Sequence, residues 1–590
     1  MLNVEIRTLF ARGGMRWWNY RHKAQGSPFP SWSYAEARSN FLRISKTARI
    51  FSDTGTLEST PESGLLPVRM DIVRIGIDFG TTRIVVASAD RGNYPLVNFE
   101  APDGRIRDWF PPVLAVAGVR RVYGWEALEL HGKPGWTIVR SLKRRLRNAG
   151  PHSEIEIAGQ RINLSLVTAE MMSALRHELV ECSTLGADQS DTLQVMLGVP
   201  ANANSNQRFL TEEAARAAGF EVLGLSNEPS AAAIEFAYRN TAERKSRAKG
   251  GLLVYDLGGG TFDISLVALG DAEHSVVASD GIPEFGGDDF DEILARLALA
   301  AAGVSAQEQD KLTAVEWFLL LDESREKKES LNPNSRRVTV DLERVREGWR
   351  EVSIAVDAFY ERCRPLIEAS RTVVEDLLAA QAGHEIDTLY LTGGGSELPP
   401  VARILRETFG RRVRRSAYMR SATAIGLAIR AGGHEECTLR DQFTQNFGVW
   451  READEGGNVV FDVIFPRGMK LPRRGEEPLR VVRTYCPVHN IGHFRYLECA
   501  HLDAHNQPLG EISNWDEILV PFDPNLRDST DLRDQPVRRF AGREGRVIEE
   551  EYACSANGNL KVRICEKATE YAKEYRLGHW SKNGGRTAHR

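Results

Sequence analysis

No stretch of the 590-residue sequence has the run of about 18 apolar residues that a membrane-crossing helix requires. The N-terminus also lacks the apolar core of a secretory signal. Cysteine is scarce: seven residues, an odd number, scattered and with no CxxC pair. This argues against a disulfide scaffold and fits reduced thiols in the cytoplasm. Neither sign of charge dominates, with 76 basic against 81 acidic residues and a net charge of -5. Composition therefore points to neither nucleic acid nor a membrane as partner. The GxxxxGK[ST] phosphate loop, HExxH and the GxSxG nucleophile elbow are all missing. The hydrophobic content of 42% is ordinary for a globular protein. The length leaves room for several domains of roughly 100–200 residues.

What is present centres on Leu252 to Val267, an apolar run, a Gly258-Gly259-Gly260 turn and a second apolar run. Such glycines let backbone N–H groups approach a phosphate. Asp256 closes the first run, where a carboxylate can hold Mg²⁺ through water. Thr261 and Asp263 follow on the return strand. Arg74 to Ala87 repeats the pattern, with Asp78 before Gly80-Thr81-Thr82. Two such hairpins far apart suggest two related lobes gripping a nucleotide.

On these hairpins the sequence resembles the heat-shock-70 chaperones of the actin/hexokinase-like ATPase superfamily. The strand–Asn227-Glu228-Pro229-Ser230-Ala231-Ala232-Ala233–helix stretch strengthens the resemblance. So does Thr388 to Pro399, a strand, a Gly393-Gly394-Gly395 turn and a helix. The implied fold is a two-lobed α/β ATPase domain of actin-like type followed by an all-β, sandwich-like domain. The implied boundaries are a leader or upstream extension over 1–70, the ATPase domain over 71–433 and a linker over 434–445. A substrate-binding β domain over 446–566 and a short tail over 567–590 complete the chain. The family's long helical lid has no counterpart before the sequence ends.

The resemblance implies Mg²⁺-dependent hydrolysis of ATP to ADP, with K⁺ as a second candidate ion. Asp78 and Asp256 are implied metal-side carboxylates. Lys143, Glu228, Asp256, Thr261 and Asp263 are the implied catalytic set, with Lys143 orienting the γ-phosphate and attacking water. An ammonium suits that role because charge spreads over the phosphoryl oxygens in the transition state. The implied phosphate contacts are Gly80, Thr81, Thr82, Gly258, Gly259, Gly260, Gly286 and Gly287. The adenosine side is assigned to Glu323, Lys327 and Ser330 of a charged helix, with Gly393, Gly394 and Gly395. Pro200 and Arg208 match the family's interdomain-coupling residues. Implied partners are unfolded or extended polypeptide, a J-domain-type co-chaperone and a nucleotide exchange factor.

Several features depart from the family. Glu397 stands where an arginine commonly packs on adenine, and a carboxylate cannot make that contact; weaker nucleotide affinity or base preference is expected. Arg420-Ser421 replaces the usual acidic pair. Cys437 to Phe443 is less apolar than the family linker, which makes linker docking a weaker expectation. Residues Thr137 to Leu146 have helical spacing with a basic face, and Glu566 to Tyr575 could form one short helix. Cys486, His489, His493, Cys499 and His501 are too irregularly spaced for a standard zinc site. Two other function classes remain: a small-molecule kinase of the superfamily, and a non-hydrolysing scaffold or exchange-factor-like relative. The family's first phosphate hairpin usually lies near the N-terminus, so the functional protein is expected to begin near Met70. Intact-mass spectrometry of the natively expressed protein checks this; a mass that includes Met1 contradicts it.

Overall fold

The computed structural model describes residues 71–577, apart from 148, 151, 245–248, 271–272, 382, 434–438, 454–457, 530 and 541–545. The leader, residues 434–438 of the linker and the last part of the tail lie outside the described residues.

Two sheets organise the N-terminal part. A four-stranded sheet has the order Glu221–Asn227, Thr192–Val199, Ile72–Phe79, Ile84–Ser88. A six-stranded sheet has the order Val413–Arg415, Thr388–Thr392, Gly250–Leu257, Phe262–Leu269, His274–Ile282, Leu439–Arg440. Each glycine-turn sequence forms an antiparallel hairpin that pairs on one side with a parallel strand. Parallel strands buried on both faces read as near-continuous apolar runs, as Leu252 to Tyr255 does, with each residue 0% exposed.

Helices Glu228–Arg244 and Ala422–Gly432 pack on each other and share one core cluster with strands of both sheets. Their alanines and glycine permit the close approach. A Cβ on Gly426 would lie 1.8 Å from the Ala231 carbonyl oxygen. The alanine run after Glu228 is therefore a packing requirement that fixes where the Glu228 end of its helix stands.

Residues 446–577 form two four-stranded antiparallel sheets around one apolar core, with Phe447, Tyr496 and Trp515 meeting Tyr552, Val562 and Ile564. Arg451 of one sheet donates to Glu550 of the other at 2.7 and 3.1 Å. Glu550 is 0% exposed; a carboxylate that deep needs such a partner.

Three local expectations change. Thr137 to Leu146 is a strand, Thr137–Val139, and a four-residue helix, Leu142–Arg145, because Ser141 adopts a left-handed φ of 56° between them. Ala572–Leu577 is a strand paired with Leu560–Glu566, not a helix, because alternation puts Tyr575 against the core and charged neighbours outward. The described part of the linker is docked: Leu439 and Arg440 pair with His274 and Ser275 at the edge of the six-stranded sheet. The few apolar residues of the linker suffice: Leu439 and Phe443 are both buried in apolar clusters beside this backbone pairing.

Gly426→Ala is expected to destabilise the chain by about 1–3 kcal/mol, the usual range for an overpacked core. Urea unfolding followed by tryptophan fluorescence measures it; an unchanged midpoint contradicts the packing account.

Candidate functional site

The two glycine turns meet. A Cβ on Gly259 would lie 2.5 Å from Thr82 Oγ1, and one on Gly260 would lie 2.8 Å from Thr81 Oγ1. Side chains there would force the hairpins apart. Behind the second turn, the N–H groups of Gly287 and Asp288 donate to the carbonyls of Gly258 and Gly259 at 2.9 and 2.8 Å. This holds the start of helix Gly287–Ala301 against the turn.

A cleft opens to solvent at this junction. Asp78, Gly80, Thr81 and Thr82 of the first hairpin line it, as do Asp256, Gly258, Gly259 and Thr261 of the second. Lys143, Glu228, Gly287 and Gly393 to Gly395 complete the sequence-predicted lining. Asp263, Gly260 and Gly286 stand behind that lining. Asp263 is buried and accepts a 3.1 Å hydrogen bond from the Ala201 N–H.

Lys143 is 4% exposed and pairs with Glu228, which is 6% exposed at the start of its helix. The left-handed Ser141 turns the chain just before Lys143, and its hydroxyl meets Asp288 at 3.2 Å. Asp78, Asp256 and Asp263 are the other carboxylates that share this electrostatic neighbourhood. Burial raises the Asp78 and Asp263 pKa values to about 7, and the nearby Glu228 charge adds to both shifts. Burial likewise raises Asp256, helped by Glu228, Asp78 and Asp263. Burial would depress Lys143, but Glu228, Asp78 and Asp263 outweigh it and hold the ammonium above its ordinary range.

Four carboxylates around one ammonium leave excess negative charge in a largely buried place. A hard divalent cation fits this set of oxygen donors. Among the described residues no three His, Cys, Asp or Glu side chains converge closely enough to cage an ion. Mg²⁺ often binds through one or two carboxylates, retained waters and phosphates. Asp78 and Asp256 would hold it in that way. In the irregular Cys/His segment, His493 pairs with Glu517 at 2.9 Å, His489 with Glu452 at 3.6 Å, and His501 lies 3.4 Å from Arg467.

The charged helix, Ala314–Glu329, is turned relative to the sequence expectation. Glu323 bonds Arg344 at 2.5 Å and the Asp341 N–H at 3.0 Å, Lys327 pairs with Glu323 at 3.3 Å, and Ser330 caps back onto Lys327. None of the three lines the cleft. Arg325, Lys328 and Glu329 do. Asp322, Arg325 and Glu329, spaced by three and four, share one face as helical neighbours must. That alternative register was the available signal.

The cleft also receives Arg83, Asp288, Asp291, Met419, Arg420 and Thr423, none of which the motifs singled out as ligands. Arg83 pairs with Glu329 at 2.6 Å, and Arg140 reaches Asp322 at 2.9 Å. These pairs join the first hairpin and the segment before Lys143 to the charged helix. Pro200 is buried at the end of its strand, beside the Ala201 N–H bound by Asp263. Arg208 is buried and donates to Asn227, next to Glu228.

The raised Asp263 carries a sign. Its folded pKa of about 7 lies above the unfolded value of 3.8. Folding therefore bears no penalty from this group below about pH 4 and the full penalty above about pH 7. In nucleotide-free, metal-free protein, Asp263→Asn should raise the melting temperature, and by more at pH 8 than at pH 5. An equal change at both pH values, or a loss at pH 8, contradicts the assignment.

Comparison with known proteins agrees with this geometry. The family model described as Hsp70 protein matches residues 116–443. A chaperone protein HscA homolog of Methylococcus capsulatus is 32% identical over 443 residues, covering 70% of this chain and 67% of that protein. The homolog of Burkholderia ambifaria is 31% identical over 441 residues, with the same coverages. That of Ralstonia nicotianae is 32% identical over 429 residues, covering 68% of this chain and 64% of its own. The chain belongs to the Hsp70 family of ATP-binding chaperones, and its N-terminal part has the actin-like ATPase fold that membership implies.

Proposed function

We propose that this chain binds ATP with Mg²⁺ in the cleft between the two hairpins and hydrolyses it slowly. The nucleotide state would control the grip of the 446–577 β module on unfolded or extended polypeptide. The observation that carries the reading is the Lys143–Glu228 pair, buried among Asp78, Asp256 and Asp263 where two glycine turns meet.

In this reading the turn backbones and Thr81, Thr82 and Thr261 take the phosphates. Lys143 meets the charge that spreads over the transferring phosphoryl oxygens, and Glu228 keeps its ammonium aimed. Asp78 and Asp256 would hold Mg²⁺ through water, and the ion would supply charge neutralisation at the phosphates. Asp263 accepts from the Ala201 N–H beside Pro200, so a change at the phosphates can be felt by the strand end that leads to helix Ser205–Ala217. The β module sits on that helix. Its Glu498 accepts from the Ser205 N–H at 3.0 Å, and its Asn559 donates to Glu212 at 2.7 Å.

The two C-terminal sheets would offer an extended peptide main-chain pairing and side-chain pockets, the usual mode for such ligands. A J-domain-type co-chaperone and an exchange factor would regulate the cycle. Among the described residues of 446–577 the helical structure is the three-residue turn Pro524–Leu526, too short to close over a bound peptide, which should exchange fast.

Two measurements test this. In single-turnover assays with Mg²⁺·ATP, Lys143→Ala should lower the hydrolysis rate by about 10²–10³-fold, as removing a transition-state donor does. ATP binding without hydrolysis in the wild type would favour a non-hydrolysing scaffold. Separately, a fluorescent extended peptide should leave the ADP-bound chain within seconds at 25 °C; release over hours contradicts the open-module reading.

A further inference from the structure

Two departures from the family pattern, an acid at 397 and a base at 420, touch each other. Arg420 donates from Nε at 2.8 Å and from Nη2 to Glu397 Oε2. Its Nη1 donates to Glu329 Oε2 at 2.9 Å. The Gly393 N–H donates to the Met419 carbonyl at 2.7 Å. The turn before Glu397 and the segment carrying Arg420 are thus tied through backbone as well as side chain.

The position of Arg420 is informative. It lines the same cleft as Lys143 and Thr81, and its side chain is 27% exposed. A Cβ on Gly394 would lie 3.8 Å from Arg420 Cγ, so the stem runs over the glycine turn. Of the other cations of this wall, Arg83 also pairs with Glu329, at 2.6 Å, but already lies over the Trp109 ring at 5.1 Å; Arg325 bonds Asp291 at 3.3 Å, and Lys328 binds Asp291 and the Gly287 carbonyl, each at 2.7 Å. Both carboxylates that hold Arg420 engage N–H groups, which lie along the edge of the guanidinium plane. A guanidinium held by its edge can present a flat face, and a flat cationic face suits an aromatic ring.

We propose that Arg420 is the planar cation on which the base of a purine nucleotide stacks in this chain, with Glu397 and Glu329 as its positioning residues. The inference rests on the reading of the cleft as an ATP site. It reverses the expectation that Glu397 costs the chain its base contact. The guanidinium enters from the start of helix Ala422–Gly432 instead of from the glycine turn.

The test is calorimetric titration of the full chain with Mg²⁺·ADP and with Mg²⁺·pyrophosphate, which has no base. Arg420→Ala should weaken ADP by about 2- to 30-fold, the range of a cation–π contact, and leave pyrophosphate unchanged. Arg420→Lys, which keeps the charge and loses the plane, should lose as much ADP affinity as the alanine variant. The exchanged double variant Glu397→Arg/Arg420→Glu should recover at least half of the lost binding free energy. Thermal melts of each variant report whether it is folded. Full ADP affinity in Arg420→Ala or Arg420→Lys would overturn the proposal. Equal losses for ADP and pyrophosphate would make Arg420 a phosphate-side charge and overturn it too. Failure of the wild-type chain to bind either probe would instead overturn the ATP reading, and this inference with it.

Discussion

The buried Lys143–Glu228 ion pair is the contact on which the site depends. Removing either partner would leave an uncompensated, largely buried charge, which is strongly destabilising. Its two members come from segments 85 residues apart. Each position is fixed by local structure: Lys143 by the left-handed Ser141 before it, Glu228 by the close packing of its alanine-rich helix on Gly426. The pair is neutral as a whole and leaves the surrounding carboxylates unbalanced. Asp78, Asp256 and Asp263 remain, each pushed towards its neutral form by burial. A site in this condition is set up to receive a cation and the phosphates that share it.

From that centre, contacts run continuously to the β module. Asp263 holds the Ala201 N–H, Arg208 holds Asn227, and Asn204 and Ser205 at the start of the next helix bond Ser513 and Glu498 of the module. The linker closes a second route. Asp441 accepts from Ser230 at 2.7 Å and pairs with Arg430 at 3.3 Å, on the two helices that pack between the sheets. Ser230 is two residues beyond Glu228, so cleft and linker share one helix start.

Much of this was legible from the sequence because the signals are local. Glycine turns between apolar runs mark hairpins, and the alanines after Glu228 mark a close-packed helix. What failed was also physical. The segment before Lys143 has helical spacing, yet a single left-handed residue splits it into strand and short helix. The charged helix carries acids and bases on several faces, so the pattern alone does not fix its register, and it points to Glu323, Lys327 and Ser330 where the cleft is lined by Arg325, Lys328 and Glu329. Glu566 to Tyr575 reads as one short helix, while pairing at the sheet edge makes Ala572–Leu577 a strand. The Glu397–Arg420 contact spans 23 residues and a turn; as two separate departures it reads as damage, and only proximity turns it into a pair.

The most direct measurement is the metal dependence of ADP binding by calorimetry, with Mg²⁺ and with EDTA, in the wild type and in Asp256→Asn. Because Asp78, Glu228, Asp256 and Asp263 surround the single ammonium of Lys143, ADP should bind at least about 10-fold tighter with Mg²⁺, a difference of about 1.4 kcal/mol. Asp256→Asn should lose most of that advantage. Equal ADP affinity with and without the metal in the wild type would contradict the account at its centre.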